Sequence, residues 1–172
     1  MLIKTERLTV RLIEKSDWKG MQALWEDFNA SEYAVYDKPH ATDEAVLRPQ
    51  ISRWAEANRG TEHMFFAVCL EGDLIGFYAF NITEDGYETG YCFLSDYHGR
   101  GYAKESFSAI SAYLKGLGIT KITAGTALNN TPSVSLLKSL GFKQTGTEKV
   151  SFYKDAEGNA IVFDGGIYEL TM

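Results

Sequence analysis

Residues 97–106 read Tyr-His-Gly-Arg-Gly-Tyr-Ala-Lys-Glu-Ser and join a strand pattern directly to a helix pattern. Upstream, "YETGYCFL" is an apolar strand run. Downstream, Ala103, Phe107, Ile110 and Leu114 are spaced four, three and four apart, which predicts a helix with one buried face. Gly116 and Gly118 stop that helix, and the β-branched "ITKITAGTA" follows. A strand, one crossover helix and a second strand predict a parallel pair. This unit excludes a purely antiparallel architecture, and the rest of the chain must be built around it.

The other segments are simpler. "TERLTVRL" alternates Leu8, Val10 and Leu12 with Thr9 and Arg11, as a half-buried strand does. Ser16 is the expected cap of a helix with Trp18, Met21, Leu24 and Phe28 on one face. The irregular "ASEYAVYDKPH" ends near Pro39, and a second helix is expected over 43–58 with Val46, Ile51 and Trp54 as its apolar points. "MFFAVCL" and "LIGFYAFNI" flank the turn "EGD" and, with "YETGYCFL", form a three-strand antiparallel meander. "NNTPSVSLLKSLGF" reads as a short helix with Pro132 near its start and Gly141 past its end. A long hairpin around "AEGN" closes the chain. The expectation is one α+β domain over residues 1–172 with a mixed, largely antiparallel sheet.

Composition narrows the function classes. The chain is long enough for one sizeable core, and 45% hydrophobic with 23% charged residues is ordinary for a globular protein. No apolar run approaches the roughly 20 residues of a membrane helix. The N-terminus lacks the long apolar region of a secretory signal, so the cytoplasm is the expected location. Cys69 and Cys92 lie in separate strand runs, with no CxxC pair and no disulfide framework. His40, His63 and His98 are isolated and show no metal-ligand spacing. The net charge of −6 argues against a nucleic-acid surface. It is uneven: residues through Tyr97 carry net −8 and the remainder net +2. An anionic ligand suits the second half and a cationic partner the first.

A helix start offers unpaired N–H groups and the positive end of the helix dipole. Glycines let the backbone approach an anion closely. Consecutive amides from Gly99 to Lys104 are therefore expected to wrap a phosphate or diphosphate, with Arg100 and Lys104 adding charge. No P-loop string occurs. The dinucleotide pattern is only half present, because Lys104 stands where its third glycine belongs. The plain alternative is a glycine-rich turn with no ligand.

"HGRGYA" resembles the (Gln/Arg)-x-x-Gly-x-(Gly/Ala) motif of the GNAT acetyltransferase superfamily, with Gly101 and Ala103 in its last positions and His98 where Gln or Arg is usual. "TERLTVRLIEKSD", "YETGYCFLSDYHGRGYAKES", "NNTPSVSLLKSLGF" and "FDGGIYEL" are similar, in order, to segments of the Rim-type N-terminal acetyltransferases. The resemblance implies an α/β sandwich with a mixed sheet of about seven strands, one splayed parallel pair and about four helices. It implies acetyl-CoA or coenzyme A as cofactor, bound through Phe93, Leu94, His98, Gly99, Arg100, Gly101, Tyr102, Ala103, Lys104 and Asn130. The implied activity is acetyl transfer to a protein N-terminal α-amine or a small cationic amine, with no nucleic acid and no membrane involved, and it is compatible with a homodimer.

Acetyl transfer needs a bound thioester, a neutral amine, an oxyanion donor and a proton for the leaving thiolate. An α-amine of pKa ~8 is neutral about one time in ten at pH 7, a lysine-like amine of pKa ~10.4 only about once in a few thousand. A general base therefore matters most for the second kind. Glu88 matches an acidic position of the Rim-type strand and shares its face with Gly90 and Cys92; the plain alternative is a solvated edge glutamate. Many GNAT enzymes place a tyrosine acid where this chain has Leu137. The Rim-type alternative is a serine three residues after Asn130, which is Ser133; otherwise its hydroxyl serves the helix start. Tyr33 and Tyr36 are expected to line the acceptor pocket, with Glu32 and Asp37 attracting a cation, or else to cover the core. Three competing readings stay in view: a covalent acetyl-Cys92 route, a non-catalytic coenzyme-binding or protein-interaction module, and a thioesterase that needs no amine.

Overall fold

The computed structural model describes residues 1–172. Eight strands form one sheet in the order β1-β2-β3-β4-β5-β6-β8-β7. Their ranges are β1 Leu2–Lys4, β2 Leu8–Leu12, β3 His63–Leu70, β4 Asp73–Thr83, β5 Gly86–Phe93, β6 Lys121–Ala127, β7 Lys143–Lys154 and β8 Ala160–Thr171. The helices are α1 Trp18–Asn29, α2 Glu44–Ala57, α3 Tyr102–Gly116 and α4 Thr131–Ser139. All strand pairs are antiparallel except β5 with β6, as the crossover demands. The strand beyond the expected seven is β1, which pairs Ile3 with Val10 across a tight turn. At three residues it is too short for a sequence period.

β3 explains its own unbroken apolar run. Met64, Phe66 and Val68 enter one cluster with Phe107, Ile110 and Leu114 of α3 and Leu137 of α4. Phe65, Ala67 and Cys69 enter the other, with Met21, Leu24 and Trp25 of α1 and Leu47 and Ile51 of α2. A strand covered on both faces needs no polar alternation. Each such side chain contributes roughly 2 kcal/mol of hydrophobic free energy.

Two local expectations change. α1 is preceded by a 3-10 turn over Lys15–Asp17, and Asp17 rather than Ser16 organises the entry. Its carboxylate accepts from the Glu14 amide at 2.7 Å and from both terminal nitrogens of Arg11. On α2, Val46 is 53% exposed, and the inward stripe runs through Leu47 and Ile51 instead. Asp43 caps this helix by accepting from Ala45 N.

The parallel pair positions the site. β5 and β6 are in register only at Tyr87↔Ile122 and Glu88↔Thr123. Gly86 permits this join, because a Cβ there would lie 2.5 Å from Lys121 O. Beyond Glu88, β5 stays with β4 as far as Phe93 while β6 stays with β8 as far as Ala127. The two half-sheets thus splay, and a V-shaped gap opens between β5 and β6.

Candidate active site

At the wide end of the gap the chain turns through Ser95–Tyr97 into the glycine segment. Gly99 and Gly101 adopt φ +72° and +80°, a left-handed conformation that other residues rarely take. Gly101 ends the loop and Tyr102 begins α3. None of the amides of Gly99, Arg100, Gly101, Tyr102, Ala103 or Lys104 has a partner in the chain; the first paired one is Glu105 N, which donates to Gly101 O. A run of six unpaired amides therefore leads into α3. His98 belongs to its frame rather than its donors: its amide is spent on Ser95 O, and its Nε2 lies 2.8 Å from Phe93 O. Leu94 is likewise structural, since its amide donates to Ile75 O and its carbonyl accepts from Tyr97. That Leu94 bond fixes the alternation along β5. It turns the main chain of Tyr91 and Phe93 toward β6, where no partner strand remains.

The gap opens into a cleft of about 340 Å³, lined on its strands by residues 88–91 of β5 and 125–127 of β6. It brings together Glu88, Ser133, Asn130, Tyr33 and Tyr36, which lie up to 100 positions apart in the chain. Asp37 also lines it, while Glu32 does not. No sequence pattern pointed to the opposite wall, which comes from Glu148, Phe152 and Phe163 on the β7–β8 hairpin. That hairpin extends past its last contact with β6 and reaches the Ala34–Tyr36 turn, where the Tyr36 and Phe163 rings meet edge-on at 5.2 Å. Three carboxylates, Asp37, Glu88 and Glu148, face the cleft with no lysine or arginine among its lining residues. Asp37 is held 3.1 Å from His40 Nε2.

Side chains alternate across β5, so Tyr91 emerges on the opposite face from Glu88 and Gly90, toward α4. Its hydroxyl lies 2.7 Å from Ser133 Oγ. Burial pushes the Tyr91 phenol up to about 12, which keeps it protonated. Asn130 caps α4, its Oδ1 accepting from Ser133 N at 3.2 Å. Ser133 thus donates its backbone N–H to Asn130 Oδ1, and its hydroxyl pairs with Tyr91 rather than with the helix start. Thr89 Oγ1, 4% exposed on the cleft wall, has no hydrogen-bond partner. Tyr91 was legible in retrospect, because Tyr87, Tyr91 and Phe93 share one parity on β5.

Leu137 is fully buried in the core cluster with Phe107, Ile110 and Phe142. Installing the missing tyrosine, Leu137→Tyr, is expected to overpack this site and cost about 1–3 kcal/mol in urea unfolding with no gain in turnover. Cys92 is equally unsuited to a covalent role. Burial, followed by the negative charges of Asp27 and Asp37, pushes its thiol up to about 12. The reactive thiolate is scarce at neutral pH.

Residues 7–143 match the family described as an acetyltransferase (GNAT) domain. The chain belongs to the GNAT acetyltransferase family. A similar protein is an uncharacterized N-acetyltransferase of Bacillus licheniformis, 31% identical over 166 residues, with 91% of this chain and 89% of that one covered. The crystal structure of a GNAT-family acetyltransferase from Bacillus anthracis is 28% identical, with TM-score 0.76 over 99% of this chain and 98% of that one. RimL, a ribosomal alpha-N-protein acetyltransferase solved in complex with coenzyme A, has the same fold, with TM-score 0.82 at 15% identity over 100% and 98% of the two chains.

Proposed function

We propose that this protein transfers acetyl from acetyl-CoA to the primary amine of a cationic acceptor, by direct attack with both substrates bound. The observation that carries this reading is that the splay between β5 and β6 sets two features near each other: unpaired amides in the loop that follows β5, and three carboxylates lining the cleft between the strands. The chain fits the coenzyme on its own terms. The amides of residues 99–104 suit a diphosphate, the open edge of β5 suits an amide-bearing arm, and the orphaned Thr89 hydroxyl awaits a polar partner. Bound acetyl-CoA supplies an activated acyl thioester.

The residues then divide the work. Asp37, Glu88 and Glu148 attract the acceptor ammonium, and the rings of Tyr33, Tyr36 and Phe163 cover the chain that carries it. Glu88 removes a proton from the amine, directly or through one water. A main-chain amide of β5, from Tyr91 or Phe93, stabilises the developing oxyanion, a contribution of about 3 kcal/mol in comparable sites. As the new C–N bond forms and the C–S bond breaks, Ser133 donates a hydrogen bond to the departing sulfur, Tyr91 donates to Ser133 Oγ and fixes the direction of that bond, and coenzyme A leaves as its thiolate while Glu88 holds the amine proton until solvent takes it. The acceptor is a protein N-terminal α-amine or a small cationic amine.

Calorimetric titration with coenzyme A, followed by thiol release from acetyl-CoA across a panel of amines and peptide N-termini, tests this reading. Saturable binding and amine-dependent release are expected. Binding without release by any amine would favour a coenzyme-binding module, and release without amine a thioesterase. Cys92→Ala is expected to keep turnover within about twofold, as direct transfer requires; a loss of a hundredfold or more would restore the acetyl-cysteine route.

A further inference from the structure

Arg7 lies in the N-terminal "TERLTVRLIEKSD" segment, outside the residues expected to form the site, yet it touches the glycine loop. It lies in the turn between β1 and β2, almost a hundred residues from the loop in sequence. Its NH1 donates to Arg100 O at 3.0 Å, and its Nε and NH2 bind Glu105 Oε2 at 2.7 and 2.6 Å. The Arg7 guanidinium covers the Tyr102 ring at 4.5 Å, and its NH2 lies 3.5 Å from where a Cβ on Gly101 would stand. Glu105 is further held by Thr5 Oγ1 at 2.5 Å and the Arg7 amide at 3.0 Å. Burial works against that carboxylate, but these hydrogen bonds prevail and hold it below the usual glutamate range.

We infer that Arg7 is a positioning residue for the diphosphate-binding amides, acting both as a brace and as the neutraliser of Glu105. This rests on the coenzyme-binding reading above. The brace follows from peptide geometry: tying the Arg100 carbonyl to one side turns the next amide, that of Gly101, to the other, in line with the first N–H groups of α3. The charge argument is separate. Glu105 sits in the first turn of α3, where a carboxylate is favourable in an empty helix but competes with a bound diphosphate for the same positive potential. A fixed guanidinium on both lateral nitrogens of the fork cancels that negative charge without filling the cradle. Arginine also suits the task because one planar group serves a carboxylate, a carbonyl and an aromatic face together.

The test is calorimetric binding of coenzyme A and of pantetheine, which lacks the diphosphate, to the full chain. Arg7→Ala is expected to weaken coenzyme A by roughly tenfold or more while leaving pantetheine unchanged. The double variant Arg7→Ala/Glu105→Gln is expected to regain most of the loss, because the unneutralised carboxylate is gone. Glu105→Gln alone keeps its hydrogen-bond acceptor and frees the cation, so coenzyme A is expected to bind a few-fold tighter at low salt and the gain to shrink as salt rises. This last variant decides the charge argument even where Arg7→Ala destabilises the fold. Unchanged coenzyme A affinity in Arg7→Ala, equal weakening of both ligands, or weaker binding in Glu105→Gln overturns the inference and leaves the proposed function intact. A wild-type chain that binds no coenzyme A overturns both.

Discussion

Glu88→Gln is expected to lower kcat at pH 7 by about 10²–10³-fold for a lysine-like amine, the usual worth of a positioned proton acceptor. The substitution keeps size and hydrogen bonding and removes only the basic oxygen. Asp37 and Glu148 still attract the ammonium, so the KM for the acceptor is expected to rise only a few-fold. The loss should depend on pH in one direction. As pH climbs toward the amine pKa of ~10.4, the neutral amine arrives without help and the variant approaches wild type. For an α-amine of pKa ~8 the same convergence begins about two pH units earlier. Steady-state rates from pH 6.5 to 10 on one acceptor of each class check this. Equal rates for variant and wild type at pH 7 would remove Glu88 from the mechanism and pass the role to Glu148 or to solvent.

Gly101→Val is expected to weaken coenzyme A by a hundredfold or more. At φ +80° a β-branched residue is strained, and the cost is about 1–3 kcal/mol before any ligand is considered. The loop relieves that strain by rotating the peptide planes that aim the amides. The new side chain also meets Arg7 NH2, so the tie to Arg100 O is disturbed at the same time. Gly99→Val adds strain of the same kind in open space, and its effect on affinity is expected to be smaller. Calorimetry for affinity and a thermal melt for stability separate the two consequences. Full affinity in Gly101→Val would place the diphosphate elsewhere.

Much of the fold was written in local patterns. The four-three-four spacing on α3, the β-branched run of β6 and the one crossover between β5 and β6 are short-range signals, and each predicted its element. The glycine loop was legible for the same reason, because left-handed backbone leaves its trace as glycine. The helix entry at Asp17 was not, since its partner Arg11 lies on a strand and an ion pair leaves no period. Among the candidate residues, Glu88 and Ser133 came from resemblance rather than pattern, and the cleft that holds them both is what makes a joint role chemically sensible.

Sequence alone determined the elements, the parallel pair and the left-handed glycine turn, because all of these are set by periodicity and by backbone conformations that particular residues impose. The tertiary structure alone decided where the splay opens, that the β7–β8 hairpin walls the cleft with Glu148 and Phe163, that the Tyr91 hydroxyl meets Ser133, and that Arg7 reaches the loop. Those contacts join segments tens to a hundred residues apart. They depend on how far each strand outruns its neighbour, a property of the assembled sheet that no single stretch of chain contains.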